Sequence, residues 1–352
     1  MTKLIRIGIS QGDINGVGYE VIMKALDDKR MLEMCTPIIY GSPKVAAYHR
    51  KAIDLETFQF NTIEQAESAV DGKVNIINCI DDNVHVELGK LADIAGEASY
   101  MALDAAVQDL KAGKIDALVT APISKDNIQS EKFNFPGHTE FLAEQFHVDN
   151  HIMLMVSEKM RVGVVTTHVP LKDVAKHITQ ELIVKKLRII ASTMEQDFSI
   201  KRPRIAVLGL NPHCGDGGLI GKEEQDVIIP AIEQAKKEGI LALGPYPSDG
   251  FFGSDDYTKF DVTLAMYHDQ GLTPFKVLTF DHGVNYTAGL PVVRTSPCHG
   301  TGFAIAGKNV AKETSFREAL FLAMDIHKNR QIHAQITVDP LKMSKAVYNN
   351  KE

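Results

Sequence analysis

Buried apolar strands alternate with amphipathic helices along this chain, and each strand runs out into a polar loop marked by Gly or Pro. That alternation restricts the fold to an α/β architecture with a largely parallel, covered sheet. Leu4–Ser10, Pro37–Gly41, Asp116–Pro122, Arg204–Leu210 and Phe260–Met266 read as strands. Ile152–Val156 and Arg161–Thr166 resemble a strand pair with a tight connection. Helices are predicted from Tyr19 toward Lys29, over Pro43–Arg50, Glu97–Ala112, Glu181–Gln196, Lys222–Lys237 and Ser315–Asn329. Between Lys51 and Asp93 the periodicity is weak, and only Val74–Asn78 reads as a strand. At 352 residues the chain exceeds the usual single-domain size, so two domains are expected.

In open α/β sheets, ligands bind beyond the carboxyl ends of the strands. Three such ends carry a histidine. His168 follows Arg161–Thr166, His213 follows Arg204–Leu210, and His268 follows Phe260–Met266. The alternatives are hydrogen-bonded loop imidazoles, or a nitrogen donor set for a divalent ion with positions left for substrate. Cys214 and Asp269 are neighbours that rank second as ligands. The segment Tyr267–Lys276 reads as a polar loop carrying an imidazole, a carboxylate, a carboxamide and the Lys276 ammonium.

Other segments suit an anion. His138 and Thr139 precede a short predicted helix, Glu140–Gln145, with Thr139 as its N-cap, and a helix start suits phosphate. Arg294, which with Asn285 flanks a short strand read at Val292–Thr295, offers a planar fork for carboxylate or phosphate. No G-x-G-x-x-G follows a strand, so an ordinary dinucleotide fingerprint is absent. The loops around Gly12–Asp13 and Gly300–Thr301 are the nucleotide candidates.

A net charge of -7 without a basic stripe argues against nucleic acid. No apolar run approaches the roughly 20 residues of a membrane helix, so no membrane partner is expected. The four cysteines are scattered without a CxxC pair, which fits a reducing cytoplasm better than a disulfide framework.

Seven segments together carry a resemblance. Gly12–Gly18, Ala121–Lys125, Pro136–Glu140, Leu210–Asp216, Gly244–Gly250, Tyr267–Gly271 and Val284–Pro291 resemble, in order, the 4-hydroxythreonine-4-phosphate dehydrogenase family. The resemblance implies two α/β/α domains about a cleft, as in isocitrate and isopropylmalate dehydrogenases. Residues 1–122 with 303–352 would form the first domain and 123–302 the second. It implies a homodimer with shared active sites, in which His168, His213 and His268 hold one divalent ion (Zn, Mg or Co), with His268 reaching in from the partner. His138, Thr139, Lys276, Asn285 and Arg294 would hold the substrate, and Lys276, Asp269 and Asp249 are the catalytic candidates. The implied reaction is oxidation of 4-phosphooxy-L-threonine by NAD or NADP to a β-keto acid. Loss of carbon dioxide then leaves 3-amino-2-oxopropyl phosphate, in pyridoxal 5'-phosphate biosynthesis. Relatives of that family act on threonate or erythronate 4-phosphates or on cyclic dihydrodiols. A metal-dependent phosphatase and an inactive phosphate-binding protein are the readings from other classes.

Overall fold

A computed structural model describes residues 4–81 and 84–338; residues 339–352, assigned above to the first domain, lie outside the described residues. Twelve strands form one sheet. They are β1 (Ile5–Ser10), β2 (Cys35–Gly41), β3 (Phe60–Ile63), β4 (Val74–Asn78), β5 (Ala117–Thr120), β6 (Ile152–Val156), β7 (Arg161–Thr166), β8 (Ile205–Leu208), β9 (Ala242–Tyr246), β10 (Val262–Tyr267), β11 (Val284–Ala288) and β12 (Arg294–Pro297). Their order across the sheet is β3-β4-β2-β1-β5-β12-β11-β6-β7-β10-β8-β9. The mixed α/β class and its large sheet agree with the strand–helix alternation.

The sheet is parallel except around one strand group. β11 runs antiparallel to both β12 and β6, and β6 runs antiparallel to β7. β12 lies parallel to β5, with Arg294 opposite Leu118. That pairing joins residues 1–122 to residues 123–302 through backbone hydrogen bonds, so one sheet runs through both segments. Central strands are buried on both faces: Ile7, Ile9, Leu118, Val119, Leu264 and Ala265 are fully covered. Such strands must be apolar throughout, and this is why they were readable.

Helix starts follow local chemistry. Ser42 Oγ accepts from Val45 N at 3.3 Å and Pro43 opens the helix Pro43–Ala52. Thr179 Oγ1 caps Gln180–Gln196 by accepting from Leu182 N at 3.2 Å. Among the described residues, no helix is long and apolar enough to cross a membrane.

Four sequence expectations differ from the structure. Tyr267–Lys276 is not a loop: His268–Thr279 is helical, with Pro274 inside it. Its anchor is Gln270, whose Oε1 accepts from Met266 N at 2.7 Å and whose Nε2 donates to Gly209 O at 2.6 Å. Gly271 lets this helix lie on the sheet, because a Cβ there would stand 2.8 Å from Val162 Cγ1. Asn285 does not flank a strand but sits inside β11, and the strand read at Val292–Thr295 is Arg294–Pro297. The short helix near residue 140 begins at His138, with Gly137 at its N-cap position and no side-chain cap. Thr139 is thus inside the helix, and its hydroxyl meets Thr287 Oγ1 at 3.2 Å. The weak region also holds an edge strand, β3, that the sequence did not disclose.

Candidate active site

Side chains alternate along a strand, so every second residue shares a face. On one face of the sheet this aligns Met153 and Met155 of β6, Asn285 and Thr287 of β11, and Arg294 and Ser296 of β12. Thr120 ends β5 beside them, and the helices starting at His138 and His268 form walls. Between these lies a cavity of about 320 Å³. His138, Thr139, His168, His268, Lys276, Asn285, Arg294 and Gly300 of the sequence-derived set line it.

Arg294 is the most informative of them. It is 2% exposed, yet among the described residues it makes no ion pair. Its Nε and Nη2 donate to Thr120 Oγ1 at 3.1 and 2.6 Å, and Nη1 donates to Thr287 Oγ1 at 3.2 Å. Burial pulls the guanidinium down to about 9, with the Glu140 charge opposing that shift. A buried cation held only by hydroxyls is costly unless an anion joins it. Around it, His138 Nε2 and Asn285 Oδ1 are covered and have no hydrogen-bond partner among the described residues. His138 is held well below the usual histidine range, chiefly by burial and then by the Arg294 and Lys125 charges. It is therefore a neutral imidazole. The open N-terminus of the His138 helix adds unpaired backbone N–H groups.

The second cluster is at the ends of β7 and β10. These strands are hydrogen-bonded neighbours, so the residues beyond them meet: the His168 and His268 rings stand 6.3 Å apart between centroids. Each ring turns Nδ1 toward a carboxylate. Glu140 Oε1 lies 3.5 Å from His168 Nδ1, and Asp269 Oδ1 lies 2.6 Å from His268 Nδ1. Lys125 Nζ meets His168 Nε2 at 3.2 Å, so that nitrogen accepts. Imidazoles backed by carboxylates at Nδ1 are the usual form of a metal-ligand pair.

His213 does not join them. It is exposed, it does not line the cavity, and among the described residues no three His, Cys, Asp or Glu side chains gather as a metal-holding group. The reason is topological. β8 lies outside β10 in the sheet, and His213 sits in a left-handed turn beyond it. Glu224, itself buried, fixes that turn by accepting from Leu210 N and Asn211 N, both at 2.7 Å. Within one chain, then, His168 and His268 stand together and His213 is separate.

The remaining sequence candidates divide similarly. Lys276 lines the cavity and makes no ion pair among the described residues. Asp269 is held by His268 with its side chain 81% exposed. Asp249 is exposed on the helix Ser248–Gly253, where its charge bears on Cys214 of the His213 turn and not on the cavity. Gly12 and Asp13 are buried, with Asp13 accepting from Asn15 N at 2.8 Å and from Asn127 Nδ2 at 2.9 Å. The loop that they open meets the other candidate loop at Val17, whose N donates to Thr301 O at 2.9 Å, and Gly300 lines the cavity.

Sequence reasoning missed Lys125 and Glu140 as site residues. Both lay in quoted segments. An acidic residue in a first helical turn already has a sufficient explanation in the helix dipole, so Glu140 carried no separate signal.

Comparison with known proteins identifies the family. The profile of the family described as pyridoxal phosphate biosynthetic protein PdxA matches residues 33–323. A 4-hydroxythreonine-4-phosphate dehydrogenase of Bacteroides thetaiotaomicron is 55% identical over 339 residues, covering 96% of this chain and 93% of that protein. A protein of Oceanobacillus iheyensis, provisionally named a D-threonate 4-phosphate dehydrogenase, is 40% identical, covering 93% of this chain and 99% of its own. The crystal structure of 4-hydroxythreonine-4-phosphate dehydrogenase from Klebsiella pneumoniae superposes with a TM-score of 0.78 at 30% identity, covering 92% of this chain and 99% of that one. A profile match over most of the chain, together with near-full-length relatives, places this chain in the PdxA family of pyridoxal phosphate biosynthetic proteins.

Proposed function

We propose that this protein is a dehydrogenase that oxidises the C3 hydroxyl of 4-phosphooxy-L-threonine, with NAD or NADP as acceptor, in pyridoxal 5'-phosphate biosynthesis. The observation that carries the reading is Arg294, a buried guanidinium facing the cavity without a carboxylate partner among the described residues. Lys125, Lys276 and Arg294 line the cavity against the single carboxylate of Glu140, an excess of positive charge that suits a phosphorylated acid. The names of the relatives support the same substrate class.

In this reading Arg294, His138, Thr139 and the start of the His138 helix grip the phosphate. Asn285 and Lys276 orient the hydroxy-amino-acid end. His168 and His268 would hold a divalent ion (Zn, Mg or Co), and the partner subunit of a homodimer would bring its His213 turn, with Asp249 beside it, to complete the site. When bound, such an ion would supply Lewis acidity to the substrate oxygen and a nicotinamide would supply the hydride acceptor, with Gly300 and Thr301 as the residues that would border it. Lys276 Nζ, which lines the cavity, is the candidate for handling protons, with Asp269 beside His268 as the second candidate. One proton leaves the C3 hydroxyl on oxidation, and one is returned to the carbon from which carbon dioxide departs. The two methionines on the cavity floor limit water around the reacting carbons. Residues 1–122 with 303–352, and 123–302, are read as the two domains that meet at this cavity. Four cysteines, none paired, suit a cytoplasmic setting.

A second substrate has a specific observation behind it. The Oceanobacillus iheyensis relative named for D-threonate 4-phosphate is 40% identical. That substrate keeps the phosphate and carries a hydroxyl in place of the amine. Turnover is measured as reduced nicotinamide, with divalent ion and either 4-phosphooxy-L-threonine, D-threonate 4-phosphate or unphosphorylated 4-hydroxythreonine. The amine-bearing phosphate is expected to be the best substrate. Preference for the threonate overturns the substrate assignment, equal use of the unphosphorylated compound overturns the phosphate grip, and phosphate release without nicotinamide reduction overturns the dehydrogenase reading.

A further inference from the structure

The two carboxylates behind the cavity histidines are not equivalent. Asp269 is the next residue to His268 and is mostly in solvent. Glu140 comes from a different element, and its side chain is only 25% exposed. Its Oε1 faces His168 Nδ1, while its Oε2 is covered and has no hydrogen-bond partner. On the opposite edge of the same ring, Lys125 Nζ meets Nε2. An ammonium has only protons to offer, so Nε2 is the acceptor and the ring proton belongs on Nδ1, toward Glu140. Two contacts on opposite sides of His168 thus select one tautomer.

Behind Glu140 lies a small cavity of about 60 Å³ bounded by Glu140, His151, His168 and Lys186. His151 Nδ1 is covered and unpartnered, and Lys186 Nζ donates to His151 O. The space exceeds the roughly 15 Å³ that one water needs, and its walls are polar enough to retain one.

We infer that Glu140 is a positioning residue for His168. It keeps the ring proton on Nδ1 and the Nε2 lone pair toward the cavity, and by doing so it sets the divalent-ion affinity of the site. The second half of the inference rests on the metal reading given under Proposed function; the first half does not.

The test uses full-length protein with 15N-labelled histidine, freed of metal, at a pH about two units above the ordinary histidine value of roughly 6.5. Long-range 1H–15N spectra report the tautomer of His168, assigned with His168→Gln. The parent and Glu140→Gln, whose carbonyl still accepts, should show the Nδ1–H form. Glu140→Ala should show a mixture or the other tautomer. Zn2+ or Co2+ titration of the same samples by calorimetry should give a dissociation constant about 10–100-fold weaker for Glu140→Ala and within a few-fold of parent for Glu140→Gln. An unchanged tautomer in Glu140→Ala overturns the inference. So does parent-like ion affinity in that variant. Absence of ion binding in the parent instead overturns the metal reading, and the affinity claim with it. Glu140→Gln, close in shape to the parent side chain, keeps the test readable if Glu140→Ala folds poorly.

Discussion

His168 and His268 face each other because their strands pair in parallel register, with Thr166 opposite Tyr267. This pairing decides how lesions should combine in a shared-site dimer. If His213 comes from the partner, mixing His168→Ala with His213→Ala subunits leaves each mixed dimer one site with both lesions and one with neither. Activity should return to about half of normal per mixed dimer. Mixing His168→Ala with His268→Ala should return none, because each site keeps one lesion. Demonstrated subunit exchange with the opposite pattern would show that His268, not His213, crosses between subunits.

Arg294→Met tests the phosphate grip against the fold. The change removes a buried charge that only hydroxyls hold, so the thermal midpoint of the unliganded protein should stay level or rise. Loss of the bidentate contact should raise KM for the phosphorylated substrate on the order of 100-fold. Stabilisation by inorganic phosphate, visible as a thermal shift in the parent, should vanish. A variant that still responds to phosphate would remove Arg294 from the site.

Gly271 is where the His268 helix comes closest to the sheet. A methyl group at that position would stand 2.8 Å from Val162 Cγ1 and 3.0 Å from Ala265 Cβ. Gly271→Ala should therefore cost about 1–3 kcal/mol of stability by overpacking. It should also weaken ion binding, since His268 starts the helix that must move. Denaturant unfolding and metal titration check the two effects separately, and a stable variant with weakened ion binding would show that the helix shifts without unfolding.

Acid should destabilise this protein through buried neutral imidazoles. Burial lowers His49 to about 4, opposed by its hydrogen bond to Ile14 O, and His138 is also held well below its ordinary value. The unfolded chain binds protons at these groups from about pH 6.5 downward, while the folded chain does not. Stability is then fully present above that pH and falls on acidification toward pH 4. His49 alone accounts for about 3 kcal/mol over that window. Urea unfolding of the parent and His49→Gln at several pH values measures the slope, which the substitution should reduce.

The parts of the fold that could be read were those where one constraint acts alone. β1, β7 and β10 are buried on both faces and leave an apolar run that only a covered strand explains. The His268 helix was hidden because Gly271 and Pro274 both argue locally against helix, and the need for close approach to Val162 is visible only in three dimensions. β11 was hidden by its polar positions: Asn285 lines the cavity and Thr287 accepts from Arg294, so half of its pattern is polar. Among site residues, those after strand ends were found by topology. Glu140 and Lys125 were not, because their significance lies in which atoms they oppose. The placement of His213 depends on strand order, and sequence spacing carries no information about that order.

The turn that carries His213 has a further consequence. From His213 to Gly217 the φ angles are 52°, 53°, 79°, 45° and 66°, so the backbone winds in the opposite sense to every other helix described above. At Gly217 an added Cβ would meet nothing within 4 Å. Any penalty for Gly217→Ala is then one of chirality, about 1–2 kcal/mol, with no collision added to it. These five residues trace a short length of mirror-image helix, a form that a D-amino acid would enter as readily as an L-amino acid enters the common one.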